Sequence, residues 1–299
     1  MPGQDGDGWA RCAQGHRHWG RHGAVGLLAW HGPGALAGPG ALAGPPDAVS
    51  VLLVHRTRWS HHGGTWGPPG GARDSDETPL AAALREAWEE CGLPSGEVTV
   101  GGSLLDDHGG WSYRTFVAEA TARLPVHAAS PEITEARWVA AADVGSLPLH
   151  PGFEERWPEL RAALTEVTVV VDAANVMGAR PDGWWRDRAG AAQRLHGQLA
   201  ELAVRGVPDL PGALALPPLT QWFPGFVLVV EGAAKRAAFG PDGPVRVVRA
   251  PGSGDDTITA EAAAGPGLRL VVTADRELRR RCQAAGAAVT GPGWLLGLL

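Results

Sequence analysis

The sequence predicts an α/β protein built from two domains, residues 1–165 and 166–299. Three observations carry that expectation. The chain has 299 residues, more than one ordinary core usually holds. Its first half sets apolar, strand-like segments around one glutamate-rich helix. Its second half alternates continuous β-branched runs with helical stretches, the pattern of a doubly wound, mostly parallel sheet.

Composition bounds the function classes. Hydrophobic residues make up 44%, enough for real cores and too many for a disordered chain. No apolar run approaches the ~18 residues needed to span a membrane. The segment Met-Pro-Gly-Gln-Asp-Gly-Asp lacks the basic and apolar regions of a secretory signal. Cys12, Cys91 and Cys282 are scattered and odd in number, so a disulfide framework is not expected and a reducing cytoplasm is. Lys235 is the sole lysine. Residues 1–165 carry 12 Arg against 19 acidic residues, net −7, whereas residues 166–299 carry 14 basic and 13 acidic residues, net +1. The acidic half argues against broad nucleic-acid binding there, and the second half can tolerate a polyanion locally.

Val25–Trp30 and Val49–His55 read as strands. They flank the duplicated Gly-Pro-Gly-Ala-Leu-Ala segment at 32–46, which reads as a mobile loop. Pro79–Cys91 reads as a helix, with Pro79 in its first turn and Gly92 and Pro94 stopping it. Tyr113–Glu119 and Ala136–Val139 read as strands, and Phe153–Leu164 as a helix closing the first domain. Val167–Val171, Phe226–Val230, Val245–Val248 and Leu268–Val272 read as strands buried on both faces. Arg188–Val204, Asp255–Ala264 and Arg276–Ala285 are the helices between or after them, and 206–224 reads as a Pro-rich loop.

Chemistry concentrates on the Pro79–Cys91 helix. Glu86 and Glu90 are four residues apart, and Glu86 and Glu89 three, so their carboxylates lie on or near one helical face. Like charges at those spacings repel. A bound hard cation reverses that sign, because Mg²⁺ or Mn²⁺ prefers carboxylate oxygens. Held against a diphosphate, such an ion neutralises leaving-group charge and acidifies an attacking water. A Glu-Glu pair alone is more often a solvated helix face, but here about nine positions are fixed over 23 residues.

From Gly71 through Glu77, Arg85-Glu86, Glu89-Glu90 and Gly92-Leu93, the segment resembles the Nudix hydrolase signature. Trp66-Gly67-Pro68-Pro69-Gly70-Gly71 resembles the lead-in common before it. The resemblance covers about residues 20–160. It implies an α/β/α sandwich with a mixed sheet, and divalent-metal-dependent cleavage of a nucleoside-diphosphate-linked substrate. Carried over by position, Glu86, Glu89 and Glu90 would ligate metal and one would serve as base. Arg85 would orient the glutamates, Gly71 would offer its backbone carbonyl to the metal, and Glu77 would pair within the motif. Ala87 stands where a larger aliphatic residue is usual. Glu132 and Glu135, in Pro131–Trp138, resemble the Glu-rich segment before a late Nudix strand. Either is a candidate fourth carboxylate or an exposed loop residue.

Trp111, after Asp106-Asp107-His108, reads as core packing or as a stacking surface for a base. Cys12, His16, His18 and His22 contain metal-ligating types, but their spacing matches no structural zinc pattern.

In the second half, Asp172, Asp255-Asp256 and Asp275 each follow a strand, with Asn175 three residues beyond Asp172. Ligands of doubly wound sheets bind outside the carboxyl ends of the strands, where such aspartates converge and can hold Mg²⁺ or Mn²⁺. Asp255 and Asp275 equally suit helix N-caps. Val-Val-Asp-Ala-Ala-Asn-Val, Gly-Ser-Gly-Asp-Asp-Thr-Ile and Val-Val-Thr-Ala-Asp-Arg-Glu-Leu resemble motifs of NYN domains, PIN-like relatives of ribonucleases. That resemblance implies a metal-dependent nuclease acting on RNA, with Asp172, Asp255, Asp256 and Asp275 as ligands and Asn175 positioning them. Glu231 ends another strand and is a further candidate. Arg276, Arg279, Arg280 and Arg281 read as a phosphate-contacting cluster or a solvated helix end, and Trp184 and Trp185 as base-stacking or core residues. The expectation is therefore a Nudix pyrophosphohydrolase joined to an NYN/PIN-like nuclease domain. The alternative is a nucleotide-sensing regulator whose second domain binds RNA or a partner without cutting.

Overall fold

The computed structural model describes residues 5–33, 49–181, 183–240 and 243–299. The segment expected as a loop at 32–46 lies, from residue 34 on, outside the described residues. The main break between two compact units falls between Thr165 and Glu166. Among the described residues no helix is long and apolar enough to cross a membrane.

The first unit begins with a hairpin, β1 (Trp9–Arg11) and β2 (Arg17–Trp19), paired antiparallel. The main sheet contains β3 (Ala24–His31), β4 (Ser50–Arg56), β5 (Trp66–Gly67), β6 (Gly70–Ala72), β7 (Val98–Asp107), β8 (Ser112–Ala120) and β9 (Ile133–Ala140). It is mixed. β3 runs parallel to β8 and antiparallel to β4 and β6, while β7 pairs β8 and β9 pairs β4, both antiparallel. The sequence pattern missed β7, because Gly101, Gly102 and Ser103 interrupt its apolar run and a bulge lies between Val100 and Gly102.

Helix α1 (Pro79–Cys91) packs on this sheet. Thr78 caps it through Oγ1, which accepts from the Ala81 amide at 3.2 Å, and Pro79 occupies the first turn. At the other end Gly92 takes φ 73°, a left-handed turn that glycine adopts without a Cβ penalty. There the Gly92 amide donates to Trp88 and the Leu93 amide to Ala87. Its buried face is Ala82, Ala83, Ala87 and Cys91, set against Val25, Leu27, Leu52, Val54, Phe116 and Ala118. Ala87 is fully buried, so the small residue lets helix and sheet approach closely.

Helix α2 (Pro151–Ala162) closes the unit, burying Phe153, Trp157 and Leu160. His150 caps it, with Nδ1 accepting from the Gly152 amide at 3.2 Å. Burial lowers the His150 pKa to about 4, from 6.5 for an unperturbed histidine. An imidazole depressed in the fold is protonated first in the unfolded chain, so its contribution is complete above pH 6.5 and is lost as pH falls through 4. The melting-temperature difference between the wild type and His150→Gln is therefore expected to shrink on acidification across that window.

The second unit holds β10 (Val167–Asp172), α3 (Ala173–Gly178), α4 (Arg188–Arg205), β11 (Gln221–Trp222), β12 (Gly225–Val230), β13 (Val245–Arg249), α5 (Gly254–Ala262), β14 (Leu268–Val272), α6 (Arg276–Ala284), β15 (Ala288–Thr290) and α7 (Pro292–Leu296). Five strands form a parallel sheet in the order β13-β12-β10-β14-β15. The chain moves outward from β10 in one direction, then crosses to β14 on its other side. The order therefore reverses at the β10–β14 pair, where α/β sheets place their ligand crevice. The 206–224 stretch is not wholly loop, since β11 bridges Val207.

Candidate active site

Antiparallel pairing of β6 with β3 sets Gly70 opposite Gly26 and Gly71 opposite Val25, and α1 passes close to them. The Gly70 amide donates to Glu90 Oε2 at 2.8 Å. A Cβ on Gly71 would stand 2.7 Å from the Glu86 carboxylate, so the carboxylate would have to move to admit one. Gly71→Ala is expected to push Glu86 off its seat and lower turnover about 10- to 100-fold, the scale on which a misplaced catalytic group costs rate. Steady-state kinetics beside an unchanged melting temperature would check it.

Arg85 organises the cluster. Its Nε and Nη2 bind both oxygens of Glu77 at 2.8 and 2.9 Å. Nη1 donates to Glu86 at 2.8 Å and Glu89 at 3.0 Å, and Nη2 also reaches the Ala72 carbonyl at 3.1 Å. Hydrogen bonds from Arg85 hold the Glu77 carboxyl below the usual range, and Glu77 in turn strengthens protonation of Arg85. Glu86 and Glu90 behave oppositely. Burial pushes Glu86 up to about 7 against the pull of Arg85, and Glu90 up to about 8 against the Gly70 amide. Glu89 is the exposed member, its side chain 45% accessible. A buried carboxylate and a half-buried one whose ionised forms are under-compensated constitute a hard oxygen donor set, and a divalent cation fits them.

The other expected residues divide. Glu132 faces Arg56 at 3.8 Å and adds to the negative field on Glu90. Glu135 pairs instead with Arg137 at 3.4 Å. Trp111 is half-buried: its ring stacks on His18 and its Nε1 donates to the Gly20 carbonyl. Sequence reasoning missed Gly70 as an anchor for Glu90, although the Pro-Gly-Gly lead-in carried the signal. It also missed Arg56, which no local motif marks.

A Nudix domain model matches residues 41–162. A Mycobacterium tuberculosis protein named "Putative 8-oxo-dGTP diphosphatase 3" is 45% identical over 168 residues, spanning 53% of this chain and 70% of that protein. The chain belongs to the Nudix hydrolase family. A Bifidobacterium longum "Nucleoside triphosphate pyrophosphatase/Nudix hydrolase fusion protein" is 38% identical over 55% of this chain and 33% of its own length. The crystal structure of a Nudix hydrolase from M. smegmatis is 44% identical, covering 52% of this chain and 93% of that one, with a TM-score of 0.44. The chain is accordingly a Nudix pyrophosphohydrolase, and divalent-metal use is general among Nudix hydrolases.

In the second unit a cavity of about 480 Å³ is lined by Asp172, Asn175, Glu231, Asp255 and Asp275 among others. Asp172 accepts from Thr273 Oγ1 at 2.9 Å and from the Asn175 amide at 3.0 Å. Asn175 Oδ1 accepts from the Ala274 amide and Glu231 Oε2 from the Gly254 amide. Burial raises the pKa of Asp172 and of Asp255, the latter further through Asp275. Asp256 departs from expectation: it does not line the cavity but pairs with Arg281 at 2.6 Å, because it faces α6 from the first turn of α5. Asp172 and Asp275 are N-caps, whereas Ser253, not Asp255, starts α5. Three of the four arginines of α6 have partners within the fold: Arg281 with Asp256, Arg280 with Glu277 and Arg279 with the Thr273 carbonyl. Trp185 is exposed, and Trp184 lies under the Arg188 guanidinium at 5.2 Å.

Proposed function

We propose that the Nudix site hydrolyses a nucleoside triphosphate or related nucleoside-diphosphate-linked substrate at its pyrophosphate, using Mg²⁺ or Mn²⁺. The observation that carries this reading is the Arg85-centred arrangement, which holds Glu86 and Glu89 while Glu90 is seated on Gly70. Glu86, Glu89, Glu90 and the Gly71 carbonyl are the groups that would hold the cation. When bound, it neutralises phosphate charge and acidifies the attacking water. Glu90, buried and raised towards neutrality, is suited to take that water's proton. Arg85 fixes the carboxylates, so that little reorganisation is needed on reaction. The names of the relatives make 8-oxo-dGTP the first substrate to try.

The test is hydrolysis of a panel containing 8-oxo-dGTP, canonical triphosphates, dinucleoside polyphosphates, NADH, ADP-ribose and nucleotide sugars, with Mg²⁺ or Mn²⁺, wild type beside Glu90→Gln. Turnover of one class that vanishes in the variant supports the reading. Binding of a nucleotide without turnover under either ion would favour the sensor.

A second reading concerns residues 166–299 and is carried by the carboxylate-lined cavity at the β10–β14 crossover. It is an NYN/PIN-like, metal-dependent nuclease acting on RNA, with Asp172, Asp255 and Asp275 as ligands, Glu231 beside them and Asn175 positioning the site. Metal-dependent cleavage of single-stranded RNA by the full chain, lost in Asp172→Asn, supports it. Cleavage that persists in that variant would assign the activity elsewhere.

A further inference from the structure

The segment before β3 contains metal-ligating residues with no recognisable spacing, and the fold supplies what the spacing lacked. The β1–β2 turn is folded by the Cys12 amide donating to His16 and the Gly15 amide to Cys12. It is docked on the β7–β8 turn by the Ala13 amide, which donates to the Gly109 carbonyl at 2.7 Å. This brings His108, 90 residues later in the chain, beside Cys12 and His18. The ligating atoms of all three lie within 4.8 Å of one another.

Three further observations point to a ligand there. His18 Nε2 is buried and has no hydrogen-bond partner, a costly state for an imidazole nitrogen. The His18 ring is held flat against Trp111, 4.0 Å between centres at 12°, so its nitrogen is aimed rather than free to turn. His108 Nε2 lies 3.3 Å from Asp106 Oδ2, and Arg156 fixes the other oxygen of Asp106 at 2.9 Å. A carboxylate on the far nitrogen is the usual outer partner of a metal-bound histidine, and it leaves Nδ1 as the ligating atom. Cys12 itself is buried at the base of the turn.

We propose that Cys12, His18 and His108 form a zinc site that fastens the β1–β2 hairpin to the β7–β8 turn. One sulfur and two imidazole nitrogens suit a borderline-soft ion and not the hard cation of the glutamate cluster. Tetrahedral ligands about 2.0–2.3 Å from zinc stand about 3.3–3.7 Å apart, so the 4.8 Å cluster closes by small side-chain rotations. A water takes the fourth position, since the cluster of ligating atoms among the described residues holds Cys12, His18 and His108 and no fourth side chain. Binding deprotonates the Cys12 thiol and releases that proton to solvent.

The experiment uses the full chain, stripped of metal and reloaded with Co²⁺ in place of zinc. Wild type is expected to show thiolate-to-cobalt charge transfer with the strong visible bands of tetrahedral cobalt, at one equivalent, and zinc is expected to displace it. Cys12→Ser should lose the charge-transfer band, and His108→Gln should weaken binding at least tenfold. Glu90→Gln, and His150→Gln in the separate His61–His62–His150 cluster, should keep the band. A metal-free Cys12→Ser chain with the circular dichroism of the metal-free wild type shows that the loss is not unfolding. If variant and wild type differ in that comparison, zinc-dependent protection of Cys12 from alkylation in the wild type replaces it as the deciding measurement. A wild-type chain without the charge-transfer band, a band that survives in Cys12→Ser, or Cys12 alkylated equally with and without zinc overturns the site.

Discussion

Glu90→Gln is expected to abolish pyrophosphate hydrolysis, by about 10³-fold or more in kcat, while leaving the protein better folded than the wild type at high pH without metal. The two effects share one cause. Glu90 is 4% exposed, and burial raises its carboxyl to about 8 from an ordinary 4.5. A carboxyl raised in the fold keeps its proton longer in the folded than in the unfolded chain. The contribution of Glu90 to the stability of the metal-free protein is therefore complete below pH 4.5 and is lost as pH rises through 8. Glutamine carries no charge to desolvate, and its carbonyl still accepts from the Gly70 amide. Above pH 8 the metal-free variant should exceed the metal-free wild type by on the order of 2–4 kcal/mol. Adding Mg²⁺ or Mn²⁺ should stabilise the wild type and close that gap, since the ion binds the folded form. Thermal melts at pH 5 and pH 8.5, with chelator or with metal, check all three parts. A variant less stable than the wild type at pH 8.5 in chelator would show that Glu90 is compensated by something other than a cation.

The molecule shows where a sequence is readable and where it is not. The Pro79–Cys91 helix was bounded to the residue, because Pro79, Gly92 and Pro94 are local signals whose physics needs no tertiary partner. The parallel strands were legible from their β-branched runs, and Leu268–Val272 was bounded as it stands. The carboxylates of the second unit were legible as a group for the same reason, since each ends or follows a strand of one parallel sheet. The aim of Asp256 was not, because helical rotation in the first turn of α5 turned it towards Arg281 while Asp255 faced the cavity. Contacts that join distant turns were hidden too. His108 meets Cys12 and His18 only through the docking of two hairpins, and the second of those hairpins includes β7, whose glycines concealed it. Gly70 likewise gains its meaning only when β6 pairs with β3 beneath α1.

Arg85 is the residue where that packing can be tested most directly. Its guanidinium makes five contacts shorter than 3.2 Å, to Glu77, Glu86, Glu89 and the Ala72 carbonyl. Arg85→Lys keeps the charge and loses the planar fork, since a lysine ammonium cannot bind both Glu77 oxygens while spanning to Glu86 and Glu89. Turnover is expected to fall about 100-fold with KM changed less than threefold, because substrate does not need Arg85 but the carboxylate geometry does. Arg85→Ala should lose as much activity and, in addition, about 2 kcal/mol of stability. That is less than a fully buried pair would lose, because the Arg85 side chain is 24% accessible. The loss should be largest above pH 7, where Glu86 without its arginine must ionise in place beside Glu89. Adding Glu77→Gln to Arg85→Ala should cost little further activity, since Glu77 acts through the guanidinium it holds. If instead the two substitutions multiplied in full, Glu77 would have a contact with the reaction of its own, and the arrangement would be two supports rather than one.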